Sequence, residues 1–540
     1  MRSLLRGVTT VILVALFAAV GVGIGSNLST HFRNLFLYNE VLTIVQHRYV
    51  DKQDPSKLIL ASIQGMLRSL DPHSHILNKL MSQQLRQDQR GSFYGVGIQF
   101  DIIGGILTVI APIEGTPASK VGLLAGDRII KINGQDARGI TTIEVIKKLK
   151  GPKGTKVTIT VQREGVPEPL VFTITRAKIP TASVPYYFML NDTIGYLRLT
   201  RFAETTANEM RKGIHALEKE GMQEMILDLR YNGGGLLSQA IAVSDMFLDT
   251  GLPIVSTKGR TPNSNQTVFA GKGAKLPHMP VIVLIDDGTA SGAEIVAGAI
   301  QDNDRGLIVG TRSFGKGLVQ SVIQLPHDWT LVLTTARYYT PSGRCIQKPY
   351  SQYGMGYLAE TKEEKKEDHA IYRSRAGRKL TGGGGIHPDV VVKYTELGRG
   401  FEKLHRKNMF TLFGLHYAAM HRHLSHDFSV TDEMISEFIA FAAKNGVQVT
   451  KKELMGDKGQ YVKTYIKWRI VRSLWGNKEA AKTFTAVDDQ VQKAIELMPE
   501  AREMLEQSYL PSLKHGAEPA ASPQAGSETA SRMHPLDMLL

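Results

Sequence analysis

Cysteine is almost absent from this chain of 540 residues, which contains only Cys345. A single cysteine excludes an intrachain disulfide and any zinc site built from cysteine ligands. Clusters of Lys and Arg interleaved with aromatic residues are missing too, although the formal net charge is +14. Scattered basic residues of this kind do not identify nucleic acid as a partner, and we expect no nucleic-acid binding.

The N-terminus contains the one long uncharged run that decides where the chain resides. Arg2 and Arg6 precede Val8 to Gly25, VTTVILVALFAAVGVGIG, which carries no charge. This length can just span a bilayer, and the basic flank favours a cytoplasmic start. We therefore predict an uncleaved anchor in the inner membrane, with the rest of the chain on the periplasmic side. A cleaved signal peptide is the competing interpretation, and a buried core helix is the third.

Hydrophobic periodicity divides the remainder into regions of different texture. Apolar residues at helical spacing give way to short strands from Phe93 and to strand–helix alternation from about Tyr186, and helical texture returns near 393. This pattern predicts a multidomain α/β protein with helical N- and C-terminal regions. The predicted boundaries are an anchor at 1–28, helices at 29–90, a β-rich module at 91–176, an α/β core at 177–392, helices at 393–510 and a flexible tail at 511–540.

The stretch GTRSFGKGLVQ, Gly310 to Gln320, resembles both a phosphate-binding loop and the S-x-x-K motif of serine acyl enzymes, but it lacks the features that each requires. A phosphate-binding loop needs Ser or Thr after the lysine and then a helix, whereas Gly317 follows Lys316 and the next residues alternate like a strand. The S-x-x-K pattern of penicillin-recognising enzymes needs Ser313 and Lys316 on one helical turn, and the glycines here oppose a helix. A solvated loop lysine is the plain alternative.

A candidate nucleophile lies upstream in GTASGAEIVAGAIQDN, where a buried strand turns into a helix. Ser291 and Glu294 form S-x-x-E, which is typical of a helix capping box. A serine at a helix N-terminus could alternatively attack a carbonyl beside unpaired N–H groups. Lys316, if buried between glycine turns, would have a lowered pKa and could take the serine proton, while Gln320 could orient its amine. Residue patterns alone leave both interpretations open.

Several ordered blocks resemble the carboxyl-terminal processing peptidases, also called tail-specific proteases. They are LDPHSHIL, FYGVGIQF, GYLRLTRF, LDLRYNGGGLL, GTASGAEIVAGA, VGTRSFGKGLVQ and TARYYTPSGRCIQ, and together they span roughly residues 35 to 392. The resemblance implies a crotonase/ClpP-like α/β core with an inserted PDZ domain, and a serine endopeptidase that needs no cofactor and no metal. It assigns Ser291 as nucleophile, Lys316 as general base and Gln320 as its orienting partner.

The same resemblance implies an oxyanion hole formed by the backbone N–H groups of Gly292 and of Gly235, with Gly234 as the alternative. Two positions depart from the family pattern: Ala293 replaces a frequent second serine, and Gly292 replaces a more usual alanine. Because Ser291 is retained and Gly292 keeps its N–H group, we expect no loss of activity.

The PDZ domain would bind protein tails with apolar or unstructured C-termini. Glycines in FYGVGIQF can turn backbone N–H groups toward a terminal carboxylate, and the tail can then add as a strand. The groove residues expected on this basis are Gly95, Val96, Gly97, Ile98, Ile143 and Ile146.

Two other functions and one metal site compete with this interpretation. A non-catalytic PDZ scaffold would require a broken dyad, and a penicillin-binding acyl enzyme would require companion motifs that are absent. Histidines at 405, 416, 421, 423 and 426 lack a supporting metal motif such as H-E-x-x-H. The helical C-terminal region could contact a second copy of the chain or an adaptor, and the sequence does not choose between them.

Overall fold

The computed structural model describes residues 25–272, 276, 279–348 and 370–514. The predicted anchor, apart from residues 25–28, and most of the predicted tail lie outside these residues. The described residues form two compact units: 25–79 with 320–334, and those within 80–319 together with those within 335–514.

The first unit contains two helices and a short sheet. Helix α1 is Gly25–Arg48 and helix α2 is Pro55–Arg68, which Asp54 caps by accepting a hydrogen bond from the N–H of Ser56 at 2.9 Å. Strand β1, His75–Leu77, pairs antiparallel with the first residues of a strand that begins at Thr330.

The β-rich module of the second unit is built from short strands and two helices. It follows helix α3, Lys79–Arg90, and it has a sheet in the order β3-β4-β5-β7-β8, with β6 on β5 and with β2 paired to β9. Buried aliphatic side chains such as Leu107, Val145 and Ile159 form its core. Its elements are β2 Ser92–Gly95, β3 Ile98–Ile103, β4 Ile106–Pro112, α4 Pro117–Lys120, β5 Arg128–Ile132, β6 Gln135–Asp136, α5 Thr142–Leu149, β7 Lys156–Gln162, β8 Leu170–Thr175 and β9 Ala177–Pro180.

The α/β core is built on a six-stranded sheet in the order β10-β11-β12-β15-β16-β21. All neighbouring pairs are parallel except β10 with β11. Parallel strands covered on both faces read as continuous apolar runs, which explains why every residue of VIVLI is buried. The elements as far as β16 are β10 Tyr186–Met189, β11 Ile194–Arg198, α6 Thr206–Lys219, β12 Glu224–Asp228, α7 Leu237–Phe247, β13 Pro253–Gly259, β14 Gln266–Phe269, β15 Val281–Ile285, α8 Gly292–Asp302 and β16 Leu307–Gly310.

A second sheet contains β17, Leu318–Gln324, and β18, Thr330–Tyr339, the first two strands after the lysine loop. Strand β13 pairs antiparallel with β14 and with residues 336–339 of β18. The remaining strands lie outside this sheet: β19 Ile371–Arg373 and β20 Lys379–Thr381 form a separate hairpin, and β21 Val390–Val391 is the last strand of the parallel sheet.

Seven helices of the described chain follow residue 397, as the helical texture predicted. Phe401, Phe410, Phe413 and Phe438 form an aromatic core among the first of them. The last two helices instead pack on the parallel sheet of the α/β core. These helices are α9 Gly398–Arg406, α10 Met409–Met420, α11 Asp432–Lys444, α12 Lys451–Met455, α13 Gly459–Thr485, α14 Asp489–Glu496 and α15 Met498–Lys514.

Helices long and apolar enough to cross a bilayer are absent from the described ranges. Across the same ranges, no three His, Cys, Asp or Glu side chains gather as metal ligands would. Two of the C-terminal histidines have other partners: His416 lies 2.7 Å from a carboxylate oxygen of Glu164, and the His421 ring stacks on Tyr417.

Candidate active site

Ser291 lies in the turn between β15 and α8, in a backbone conformation that is rare for a residue with a side chain. Its φ is 54° and its ψ is −115°, and its side chain is only partly buried. Backbone strain of this kind persists only when surrounding contacts enforce it, and it is frequent at functional sites. The N–H group of Ser291 donates to Oε2 of Glu294 at 2.8 Å, which is the half of the capping box that the S-x-x-E spacing predicted.

Glu294 has a second role that the spacing did not reveal. Its fully buried carboxylate accepts four hydrogen bonds, and three of them come from the loop that contains Lys316. Burial raises the pKa of Glu294, while these donors favour the ionised form. Glu294 therefore joins the serine turn to the lysine loop. The four donors are Ser291 N–H at 2.8 Å, Ser313 Oγ–H at 2.6 Å, Gly315 N–H at 2.7 Å and Lys316 N–H at 2.9 Å.

Tyr338 provides a second link between the two segments. Its hydroxyl lies 2.6 Å from the carbonyl oxygen of Lys316, to which it donates, and 3.1 Å from that of Ser291. Because the N–H groups of Ser291 and Lys316 also share one oxygen of Glu294, the two backbones are less than two hydrogen-bond lengths apart. The structure thus brings together the segments that carry the predicted nucleophile and the predicted base.

Ser313 is occupied by structural hydrogen bonds. Its hydroxyl donates to Glu294 at 2.6 Å and accepts from the N–H of Ile386, also at 2.6 Å. It precedes β17 in an irregular segment rather than on a helix. These contacts agree with the rejection of the S-x-x-K interpretation.

Two backbone N–H groups beside Ser291 make no hydrogen bond within the described part of the chain: those of Gly292 and Gly235. They are close together, since a Cβ built on Gly292 would lie 3.6 Å from the nitrogen of Gly235. The N–H group of Gly234, by contrast, already donates a hydrogen bond to Oδ1 of Asn232 at 2.9 Å. This difference favours Gly235 over Gly234 as an oxyanion donor.

Gln320, the predicted partner of the lysine amine, lies on β17 in the first unit. Its side-chain amide donates to Oγ1 of Thr334 at 3.4 Å. This contact is long, and it directs the amide toward β18 within that unit.

A buried charge network lies directly before the glycine loop. Asp228, at the end of β12, is fully buried and pairs with Arg198 at 2.5 Å and with Arg230 at 2.7 Å. Burial would raise the pKa of Asp228, but the two guanidinium groups outweigh it and hold the pKa well below its usual range. Arg230 also pairs at 2.9 Å with Asp488, which caps α14.

The predicted groove residues differ in their environments. Val96 is buried in the PDZ core and Ile98 packs against it, whereas Ile143 and Ile146 on α5 are 67% and 36% exposed. Gly97 has a φ of 86°, and a Cβ there would lie 2.3 Å from Oγ1 of Thr116, so this position requires glycine. Gly95 has no such constraint on φ, and a Cβ there would lie 3.0 Å from the Phe93 ring.

Prediction from the sequence missed Tyr338 and Asp488 as contributors to this region. Tyr338 lies inside TARYY, a stretch whose pattern indicates family resemblance but no role for this hydroxyl. Asp488 lies more than 250 residues from Arg230, and no local pattern signals such a contact.

Comparison with known proteins gives matches in three parts of the chain. The model of peptidase family S41 matches residues 193–353, and a PDZ domain model matches 108–163. A family of unknown function, DUF8443, matches 401–476.

Curated relatives match with substantial identity. A carboxy-terminal-processing protease of Bartonella bacilliformis is 42% identical over 326 residues, which are 60% of this chain and 74% of that protein. The carboxy-terminal processing protease CtpA of Bacillus subtilis is 36% identical over 57% of this chain and 66% of its own length. Among solved structures, a photosystem II D1 C-terminal processing protease is 28% identical, with a TM-score of 0.36, over 66% of this chain and 92% of that one.

Proposed function

The chain belongs to peptidase family S41, among the carboxy-terminal processing proteases, and we propose that its serine-type proteolysis uses a Ser291–Lys316 dyad. The α/β core with a PDZ domain and helical C-terminal region agrees with the fold expected from the sequence. The observation that carries the dyad is the carboxylate of Glu294, which accepts hydrogen bonds from the N–H groups of both Ser291 and Lys316.

In the proposed reaction, the neutral Lys316 amine takes the proton of the Ser291 hydroxyl as its oxygen attacks the scissile carbonyl. The N–H groups of Gly292 and Gly235 then donate to the oxyanion. Lys316 returns the proton to the leaving amine, and water hydrolyses the acyl-enzyme by the reverse use of the same groups. Gln320 is proposed to orient the amine.

The PDZ domain implies binding of peptide C-termini. We propose more specifically that apolar, unstructured tails add beside β3, with the terminal carboxylate at the turn of Gly95 to Gly97 and the last side chain near Ile98, Ile143 and Ile146. The high exposure of the two α5 isoleucines supports this assignment, since exposed aliphatic side chains gain most from covering by an apolar residue.

The dyad is tested by incubating the purified chain with a folded carrier protein that ends in an unstructured apolar tail. We expect cleavage near the tail, unaffected by a metal chelator, and its loss in Ser291→Ala and in Lys316→Ala. The exposed Lys212→Ala is the control for removing one lysine charge and should cleave at the wild-type rate. Tail binding without cleavage by the unmutated chain, or cleavage by Ser291→Ala, would contradict the dyad.

We also propose that residues 8–25 anchor the protein in the inner membrane, with the rest on the periplasmic side. The uncharged run and its basic flank support this. Cell fractionation should recover the full chain in the membrane and a chain that starts at residue 29 in soluble form. N-terminal sequencing of the membrane form decides against the anchor if residues 1–25 have been removed.

The helical region 393–510 is the proposed contact for a second copy of the chain or for an adaptor. Light scattering of the purified chain distinguishes the two, because only self-association raises the mass without another protein.

A further inference from the structure

Arg472, on α13 of the C-terminal helical region, contacts the PDZ domain at the strand where a tail would bind. Its Nη2 donates to Oε1 of Gln99 at 3.1 Å, and its Nε donates to Oδ1 of Asn477 at 3.0 Å. Gln99 is the second residue of β3. Both partners of the guanidinium are therefore neutral amides.

A second arginine one helical turn away adds positive charge without a counter-ion. Arg469 lies over the Trp468 ring, with 4.2 Å from Cζ to the ring centroid, and donates to the Tyr465 hydroxyl at 2.7 Å. Its Nε is buried and has no hydrogen-bond partner among the described residues. Within the described ranges, no carboxylate forms an ion pair with either guanidinium.

The electrostatic consequence is visible at Arg472. Burial, and after it the neighbouring charge of Arg469, lowers the pKa of Arg472. Partly buried cations normally have an anionic partner, because the loss of hydration must be offset by Coulombic attraction. This position is therefore favourable for an anion supplied by a ligand.

Strand geometry indicates which part of a ligand would reach it. Among described residues, β3 is the terminal strand of the PDZ sheet and pairs only with β4. Ile98 packs against the PDZ core, while the next residue, Gln99, faces Arg472. Side chains of an added strand lie in the same rows as those of its neighbour. With the carboxylate at the Gly97 turn, the last residue of the tail lies beside Ile98 and the penultimate residue beside Gln99.

We propose that Arg472, together with Arg469, recognises an acidic side chain at the penultimate position of the bound tail. The C-terminal helical region then forms part of the specificity site, and Arg472 is a specificity-determining residue for proteolysis. This inference rests on the proposed binding of tails along β3.

The test uses full-length protein with Ser291→Ala and fluorescent peptides that differ only in a penultimate Glu, Gln or Lys. At low salt, anisotropy should give a Kd for the Glu peptide about three- to tenfold below that for the Gln peptide, with Lys weakest. The difference should shrink at high salt. Adding Arg472→Gln should bring the Glu peptide to the affinity of the Gln peptide, whereas the exposed control Arg422→Gln should keep the preference.

A second variant, in the PDZ domain, tests the same preference for a penultimate Glu. Gln99→Glu places a carboxylate beside Arg472, which should remove the preference for Glu without removing any packing in the helical region. In the active enzyme, kcat/KM for carrier proteins with the same three tails should follow the order of affinities.

The outcomes separate this inference from the function on which it rests. If the protein that retains Arg472 binds the Glu and Gln peptides with equal affinity, this inference is overturned while the proposed function stands. A uniform loss for all three peptides in Arg472→Gln would assign the contact to the terminal carboxylate and would likewise overturn it. No binding of any tail would overturn the proposed groove together with the inference, while the dyad would still be tested by cleavage.

Discussion

Replacing Glu294 by Gln tests whether one carboxylate positions the dyad. Each of its two oxygens accepts two hydrogen bonds, and the amide retains only one of these oxygens. In the more favourable orientation, the amide oxygen still accepts the hydrogen bonds from the N–H groups of Ser291 and Lys316. The Ser313 hydroxyl must then reorient, and the N–H group of Gly315 loses its acceptor. One orphaned buried donor and the weakening of charge-assisted bonds cost about 2–4 kcal/mol.

Removing the charge also relieves part of the burial penalty, since burial raises the pKa of Glu294. The net loss should therefore be about 1–3 kcal/mol, which corresponds to a decrease on the order of 3–10 °C in the Tm of the α/β core. In the proposed mechanism, Glu294 acts through the backbones of Ser291 and Lys316 and does not touch substrate, so the decrease in activity should appear in kcat rather than in KM. Misplacing reacting groups by about 1 Å costs up to about a hundredfold, so we expect a tenfold to hundredfold decrease.

Calorimetry and cleavage kinetics, both well below the Tm of the variant, provide the two measurements. The exposed Glu220→Gln is the matched control and should change neither. A lowered Tm with an unchanged kcat would show that Glu294 stabilises the core without positioning the dyad. An unchanged Tm would refute the hydrogen-bond argument itself.

Three further predictions concern the loop and the charges around it. Gly235→Ala should abolish cleavage, because its φ is 147° and the new Cβ would lie 2.1 Å from a backbone oxygen, whereas Gly233→Ala, with open space at Cβ, should retain most activity in the same assay. Since the folded pKa of Asp228 is depressed, its contribution to stability is complete at neutral pH and is lost as the pH falls below about 4. The Tm should therefore fall in acid, and Asp228→Asn should show a shallower decline; an equal slope would contradict this. Asp488→Asn should lower the Tm by a few degrees, equivalent to about 1–3 kcal/mol, and an unchanged Tm would mean that the pair with Arg230 contributes nothing.

Local patterns predicted the elements that carry the chemistry. The buried run VIVLI, followed by a turn that enters a helix, predicted that Ser291 lies where a strand meets a helix, and β15 and α8 confirm this. The β-branched residues after Lys316 predicted a strand, and β17 begins at Leu318. Such features depend on residues close in sequence, so periodicity and turn chemistry suffice.

Contacts between distant segments were beyond this approach. S-x-x-E correctly indicated a cap at Ser291, but the same carboxylate also accepts from the lysine loop about twenty residues later, which depends on how β16 returns beside β15. The exposed side chains of α5 and the contact of Gln99 with Arg472 likewise depend on tertiary packing. Spacing cannot encode which segments meet when hundreds of residues separate them.

The buried charges argue that the C-terminal helical region is an integral part of this protease. Asp228 and the cap residue Asp488 balance Arg198 and Arg230, so the network is neutral only when α14 is in place. Without that helix, Arg230 would retain a buried positive charge with one partner fewer, immediately before the loop that holds Gly235. The same region contacts the PDZ strand through Arg472. With the proposed oxyanion donor at Gly235 and the proposed tail groove along β3, this region would connect recognition to catalysis by contiguous contacts.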